Sequence, residues 1–222
     1  MSTHLQHEIE ALKKRILRLA TLVEESLQKA VKALEGPNDT LAREVIRSDP
    51  FIDRTEVGIE EECLKILALH QPVAIDLRFI VAVLKINNDL ERVGDLSVNI
   101  SERAAFLALC EPVELPFYFA GMAHKAQLML KKSLDALVNL DVDLAREVRA
   151  MDDEVDEMNR EMFRQVGEAV EKDPKKFSAL MQMLSASRHL ERVADHATNV
   201  AEDVIYMLEG EIVRHKPDNP SG

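Results

Sequence analysis

The chain has 222 residues, enough for one domain or two small ones around a real core, and 46% hydrophobic against 31% charged residues is a globular balance. A net charge of −12 argues against a surface that holds phosphate backbones, which takes clustered Lys and Arg, so no nucleic-acid partner is expected. Aromatics at only 4%, with no Trp, argue against a β-sandwich or a base-stacking platform, and no apolar run reaches the roughly 20 residues a membrane helix needs, so no direct membrane insertion is expected.

The opening "MSTHLQHEIEALKKRI" is polar and lacks a signal-peptide core. From Ile9, apolar residues recur in steps of three and four at Leu12, Ile16, Leu19, Val23, Leu27, Ala30 and Leu34, which predicts one buried helical stripe. "GPND" ends this helix, and Asp39 is the expected cap of the next. A second helix is predicted over 40–69, stopping near "HQP", and a third over 76–107. "CEPVELP" at 110–116, with two prolines, reads as a linker. A fourth helix is predicted over 117–140, a fifth over 143–172, and a sixth up to 209 after "DP", a capping Asp173 with a proline at the first helical position. The final "HKPDNPSG" reads as a disordered tail.

The second half repeats the first. "LERVGDLSVNISE" at 90–102 returns as "LERVADHATNVAE" at 190–202, and "LAREV" at 41–45 returns at 144–148. We therefore expect an all-α fold: six long helices in two tandem three-helix bundles from an internal duplication, with the second helix kinked at Pro50. The expected divisions are 1–110 for the first bundle, 111–213 for the second and 214–222 for the tail.

Each copy carries carboxylates four residues apart: Asp49/Asp53 and Glu91/Asp95 in the first half, Asp152/Asp156 and Glu191/Asp195 in the second. That spacing stacks like charges on one helix face, which costs a few tenths of a kcal/mol unless something compensates. In an antiparallel helix pair, Asp49 with Asp95 and Asp53 with Glu91 both centre on Pro72, in the predicted turn. Asp152 with Asp195 and Asp156 with Glu191 both centre between Asp173 and Pro174, again the predicted turn. Four carboxylates should therefore meet at one level in each bundle, a grouping that calls for a cation or for Arg or Lys among them. All-oxygen ligands, with Asn99 and Asn199 one turn further as additional candidates, favour Mg, Mn, Ca or iron. The Glu-x-x-His spacing of ferritin-like di-iron proteins is absent from these motifs, which lowers the prospect of an oxygen-activating enzyme.

Other readings stay open. The acids can form a solvated or Arg-bridged face, with Arg188 placed to pair with Glu191, on a metal-free structural bundle. A polynuclear carboxylate-metal enzyme is the other alternative. Pro50, directly after Asp49, suits the first turn of a helix, so Asp49 is expected to be an N-cap and a poorer ligand than Asp152. His189 and His196 lie on another face of the sixth helix and read as structural. Met122, Met129, Met181 and Met183 read as core filling, and Cys63 and Cys110 as buried free thiols in a reducing compartment.

The segments "LRFIVAVLKINNDLERVGDLSVNISE" and "RHLERVADHATNVAEDVIYMLEGEIVRH" closely resemble the two signature segments of the PhoU family, accessory proteins of the bacterial phosphate-specific transport system. "EECLKILALHQPVAIDLRF" also resembles the family's entry into its third helix, and the likeness spans nearly the whole chain. The resemblance implies two three-helix bundles, frequent homodimerisation, and metal ions, in some members multinuclear iron clusters, at the acidic motifs. By position these are Glu91/Asp95 and Glu191/Asp195, with Asp49/Asp53 and Asp152/Asp156 facing them. It also implies a non-enzymatic, cytoplasmic negative regulator of phosphate uptake and of the phosphate-starvation response. Such a regulator contacts the transporter's ATPase subunit and a phosphate-sensing histidine kinase, and so lies at the inner membrane through its partners.

Overall fold

The apolar stripe expected on the first helix is buried along its length: Leu12, Ile16, Leu19, Val23, Leu27, Ala30 and Leu34 are all at 1% exposure or less. Burying each leucine or isoleucine of such a stripe contributes about 1.5–3 kcal/mol. In the computed structural model, which describes residues 3–36, 38–111 and 117–214, this stripe lies on α1 (Thr3–Glu35). There follow α2 (Asp39–His70), α3 (Ala74–Leu107), α4 (Phe117–Asn139), α5 (Val142–Ala150), α6 (Asp152–Lys172), a single 3-10 turn at Pro174–Lys176, and α7 (Phe177–Glu209). No strand occurs among the described residues. The expected fifth helix is present as α5 and α6, divided at Met151, so the fold is six long helical rods in two bundles of three.

The bundles meet along α3 and α7, whose contact is the most extensive between any two helices. The two run antiparallel, since Lys85 Nζ lies 3.1 Å from Asp203 while Asp89, one turn further along α3, meets His196 Nδ1 at 2.7 Å and Asn199 Nδ2 at 3.2 Å. Burial pushes the Asp203 carboxyl up, against the pull of the Lys85 hydrogen bond and of Arg214. His189, on the same helix, is held below its ordinary value by burial and then by the charges of Arg103 and Arg192. His196 is thus an interface residue and His189 a half-buried one, as their helical context suggests.

Several local expectations change. Asn38, not Asp39, caps α2: its side chain accepts from the Leu41 N–H at 3.0 Å, while Asp39 sits in the first turn and pairs with Arg43 at 2.7 Å. The helix does not break at Pro50, and Asp49 is not an N-cap, because α2 runs unbroken from Asp39 to His70. Pro50 is exposed, and the carbonyl it leaves without a donor, that of Ile46, lies one turn back on the same face, so the proline is tolerated. The break falls instead in the other half, at Met151, where no proline stands. There Asp152, Asp153 and Glu154 crowd the first turn of α6 and suit the positive end of its dipole. Asp173 behaves as expected, accepting from the Lys175 N–H at 3.2 Å with Pro174 following.

Met122, Met129 and Met183 fill the core, but Met181 is exposed. Cys63 is fully buried and its thiol is pushed up to about 12 by that burial, whereas Cys110 is only half-buried. Arg214, the first residue of the expected tail, is held by Asp203 at 3.1 Å. Residues 215–222 and residues 112–116 of the expected linker lie outside the described residues.

Candidate functional site

Helix period and hairpin register together decide which acids meet. In the first bundle, Asp49 and Asp53 on α2 come up against Glu91 and Asp95 on α3. The Asp49 carboxyl is pushed up to about 6, first by burial and then by the charges of Asp53 and Asp95. Glu91 is raised by burial and by Asp95, with Glu56 and Asp53 adding and Arg92 opposing. Asp95 acting on Asp49, and Asp53 on Glu91, are the two cross-helix pairs that the register predicts.

The helices are close here. A Cβ on Gly94 would stand 3.2 Å from Ile52 Cγ2 and 3.8 Å from Asp49 Oδ1, so any larger residue here needs the Ile52 side chain to give by a few tenths of an ångström.

The second bundle repeats the grouping with Asp152 and Asp156 on α6 and Glu191 and Asp195 on α7. Asp152 is raised by burial and then by Asp195 and Asp156, against a hydrogen bond donated by Thr198 Oγ1 at 3.1 Å. Glu191 is raised by burial, by Asp195 and by Asp156. Asp195, although solvent reaches much of it, is raised by desolvation of its carboxyl and then by Asp156. The register pairs, Asp152 with Asp195 and Asp156 with Glu191, both interact across the hairpin, and so do the diagonal pairs Asp156 with Asp195 and Asp152 with Glu191.

The neighbours of the two groups differ. Arg92 bridges Glu91 at 3.2 Å and Asp95 at 3.1 Å, so the first cluster carries its own guanidinium. Arg188 lies over the Phe163 ring at 5.0 Å, while its charge still pulls Glu191 down. Glu56 joins the first group one turn beyond Asp53 and accepts from Asn87 Nδ2 at 2.9 Å. The corresponding contact in the second bundle is neutral: Ser187 Oγ donates to Asn159 at 3.1 Å. Asn199 donates to Asp89 across the bundle interface, and Asn99 is half-buried on α3. Sequence reasoning missed Glu56, although it continues the Asp49/Asp53 face. It also missed Arg92 and Thr198, whose partners depend on which way each side chain turns.

Chemically, each cluster is a partly buried, all-oxygen anionic group, in which burial and mutual repulsion oppose the ionisation of Asp49 and Glu91 in the first and of Asp152, Glu191 and Asp195 in the second. A hard divalent cation would relieve both effects, and the donors present suit one. The acids are neighbours rather than a tight cage. Among the described residues, the place where three His, Cys, Asp or Glu donor atoms all lie within 4.8 Å of one another is His4, Glu8 and His70.

The family model for the PhoU domain matches residues 16–104 and again residues 119–204, one match per bundle. The chain is 42% identical over 94% of its length to a phosphate-specific transport system accessory protein PhoU homolog of Aquifex aeolicus, covering 95% of that protein. A homolog of the same name from Pseudomonas aeruginosa is 37% identical over 97% of this chain and 89% of its own. Among solved structures, PhoU from Pseudomonas aeruginosa superposes with a TM-score of 0.88 at 36% identity, over 93% of this chain and 99% of that one. The phosphate transport system regulatory protein PhoU from Streptococcus pneumoniae superposes at 0.83 and 28% identity, over 94% of this chain and 99% of that one.

Proposed function

Because this chain belongs to the PhoU family, we propose that it is an accessory protein of a phosphate-specific transport system and a negative regulator of phosphate uptake and of the phosphate-starvation response. The observation that carries this reading is the family match to both halves of the chain, each containing one carboxylate cluster.

The finer reading is an adaptor without catalytic activity. Its bundles, residues 1–110 and 111–213, connect the ATPase subunit of the phosphate transporter to a phosphate-sensing histidine kinase, with the protein acting as a homodimer on the cytoplasmic side. No helix among the described residues is long and apolar enough to cross a membrane, and in this reading contact with membrane machinery runs through partners. Exposed Leu69, Val73 and Ile75, around the turn between α2 and α3, are apolar side chains of the kind that dock onto a partner helix.

Asp49, Asp53, Glu91 and Asp95, and in parallel Asp152, Asp156, Glu191 and Asp195, are the groups that would hold Mg, Mn or Fe ions. Such a cation would neutralise the repulsion between facing helices and bias the spacing of α2 on α3 and of α6 on α7. It couples to partner binding only through a difference in affinity between two states of the bundle.

The test is genetic. A strain lacking this chain is expected to express phosphate-starvation genes in phosphate-rich medium, and the wild-type chain to restore repression. Normal repression in the deletion strain would remove the regulatory reading.

A further inference from the structure

We propose that His4, Glu8 and His70 form a further metal site, chemically distinct from the two carboxylate clusters, which takes a borderline divalent ion, zinc foremost, and pins the start of α1 to the last turn of α2. One donor atom from each residue lies within 4.8 Å of the other two. His70 Nε2 is 2.7 Å from Glu8 Oε2, and His4 Nε2 is 3.4 Å from Glu8 Oε1.

The 2.7 Å contact is not a satisfied hydrogen bond: Glu8 Oε2 and His70 Nε2 are both buried and neither has a partner of hydrogen-bonding geometry. A zinc ion bound by both atoms would satisfy them once they part by roughly 0.6 Å, to the spacing of neighbouring tetrahedral ligands. Glu8 as a residue is only 9% exposed, so its carboxylate has little water to fall back on. The imidazoles are tilted by 58° with centroids 5.6 Å apart, which brings the rings together at an angle rather than stacking them.

The backbone supports the arrangement. His4 and Glu8 are four apart on one face of α1, and buried Leu5 and Ile9 fix the rotation of that turn. His70 is the last residue of α2, whose end is set by Gln71 at φ 45°. Lys65 is the competing cation, but it lies closer to Glu62, at 3.2 Å, than to Glu8, at 3.8 Å.

Two imidazoles and one carboxylate are the donor set of three-ligand zinc sites that leave a fourth position for water. The eight acids of the two clusters supply oxygen alone and suit harder ions, so the two kinds of site can be separated experimentally.

The test uses the full chain stripped of metal and titrated with zinc, and with Co(II) as a spectroscopic probe. The expected result is one zinc equivalent whose Co(II) form shows nitrogen-ligated d–d absorption, retained in an E91Q/E191Q double variant. Zinc affinity should fall more than about 100-fold in His70→Gln and in His4→Gln, beyond the range typical of losing only an outer-shell partner. Should His70→Gln fold poorly, His4→Gln carries the test, since the His4 side chain is 73% exposed and its loss leaves the core intact. Zinc affinity unchanged in His4→Gln, or absence of the nitrogen-ligated spectrum in the wild-type chain, would overturn the proposal.

Discussion

The two carboxylate clusters carry the same motif on different supports. In the first, α2 passes through Pro50 without a break, Gly94 brings it hard against α3, and Asp49 sits in mid-helix with no free backbone N–H groups beside it. In the second, the helix breaks at Met151, Asp152 lies in the first turn of α6, and Thr198 donates to it. The lesson concerns how a duplicated acidic pair survives its own repulsion. One copy is answered by Arg92, with Asp49 pushed up towards neutrality. The other has a hydroxyl and a helix N-terminus to meet its charge. The two halves should therefore differ in proton and cation affinity while remaining alike in core stability.

The largest effect tests that likeness. Leu90 and Leu190 are both fully buried at matching positions, so Leu90→Ala and Leu190→Ala should each cost about 3 kcal/mol in denaturant unfolding. Unequal costs would break the equivalence of the bundles.

Next comes the helix approach. Gly94→Val drives side-chain atoms into Ile52 and should cost roughly 2–3 kcal/mol, whereas Ala194→Gly should cost only about 1 kcal/mol, mostly helix propensity. Equal and small effects would mean that α2 and α3 can part without penalty.

A smaller effect separates the acids. Asp49 titrates near 6 in the fold, against about 4 for an ordinary unfolded carboxyl, so folding takes up a proton between those values. Metal-free stability should therefore fall as pH rises from about 4 to 6 and stay lower above that. Asp49→Asn should remove part of this fall and raise stability at pH 7 by about 1 kcal/mol, a figure discounted because the carboxyl is only partly buried. Asp152→Asn should gain less, because the Thr198 bond already favours the ionised form. A pH scan of melting temperature for the wild type and both variants decides it, and no change in Asp49→Asn would contradict the assignment.

The smallest stability effect is at Arg92, whose ion pairs are exposed. Arg92→Gln should change stability by no more than about 0.5 kcal/mol while raising Mn affinity at the first cluster, as followed by calorimetry.

Much of this was legible in the sequence, for physical reasons. Leu12 to Leu34 announce a stripe because burial and helical period coincide. The meeting of Asp49 with Asp95, and of Asp156 with Glu191, follows from turn position alone in an antiparallel pair. Proline is the misleading signal: Pro50 suggests a break, but it stands on an exposed face of α2, which runs through it unbroken. The break at Met151 carries no Gly or Pro, and its stabilisation comes from three acids at a new N-terminus and from Thr198 on another helix. His4, Glu8 and His70 were illegible as a group because only the packing of α1 on the end of α2 brings them together.

The measurement closest to the central claim is binding of the purified chain to the ATPase subunit of its phosphate transporter, with and without Mn, for the wild type and an E91Q/D95N/E191Q/D195N variant. The account predicts that the wild type binds with an affinity that responds to Mn, and that the variant keeps its helical content but loses the response. Failure of the wild type to bind the subunit in either condition would contradict it.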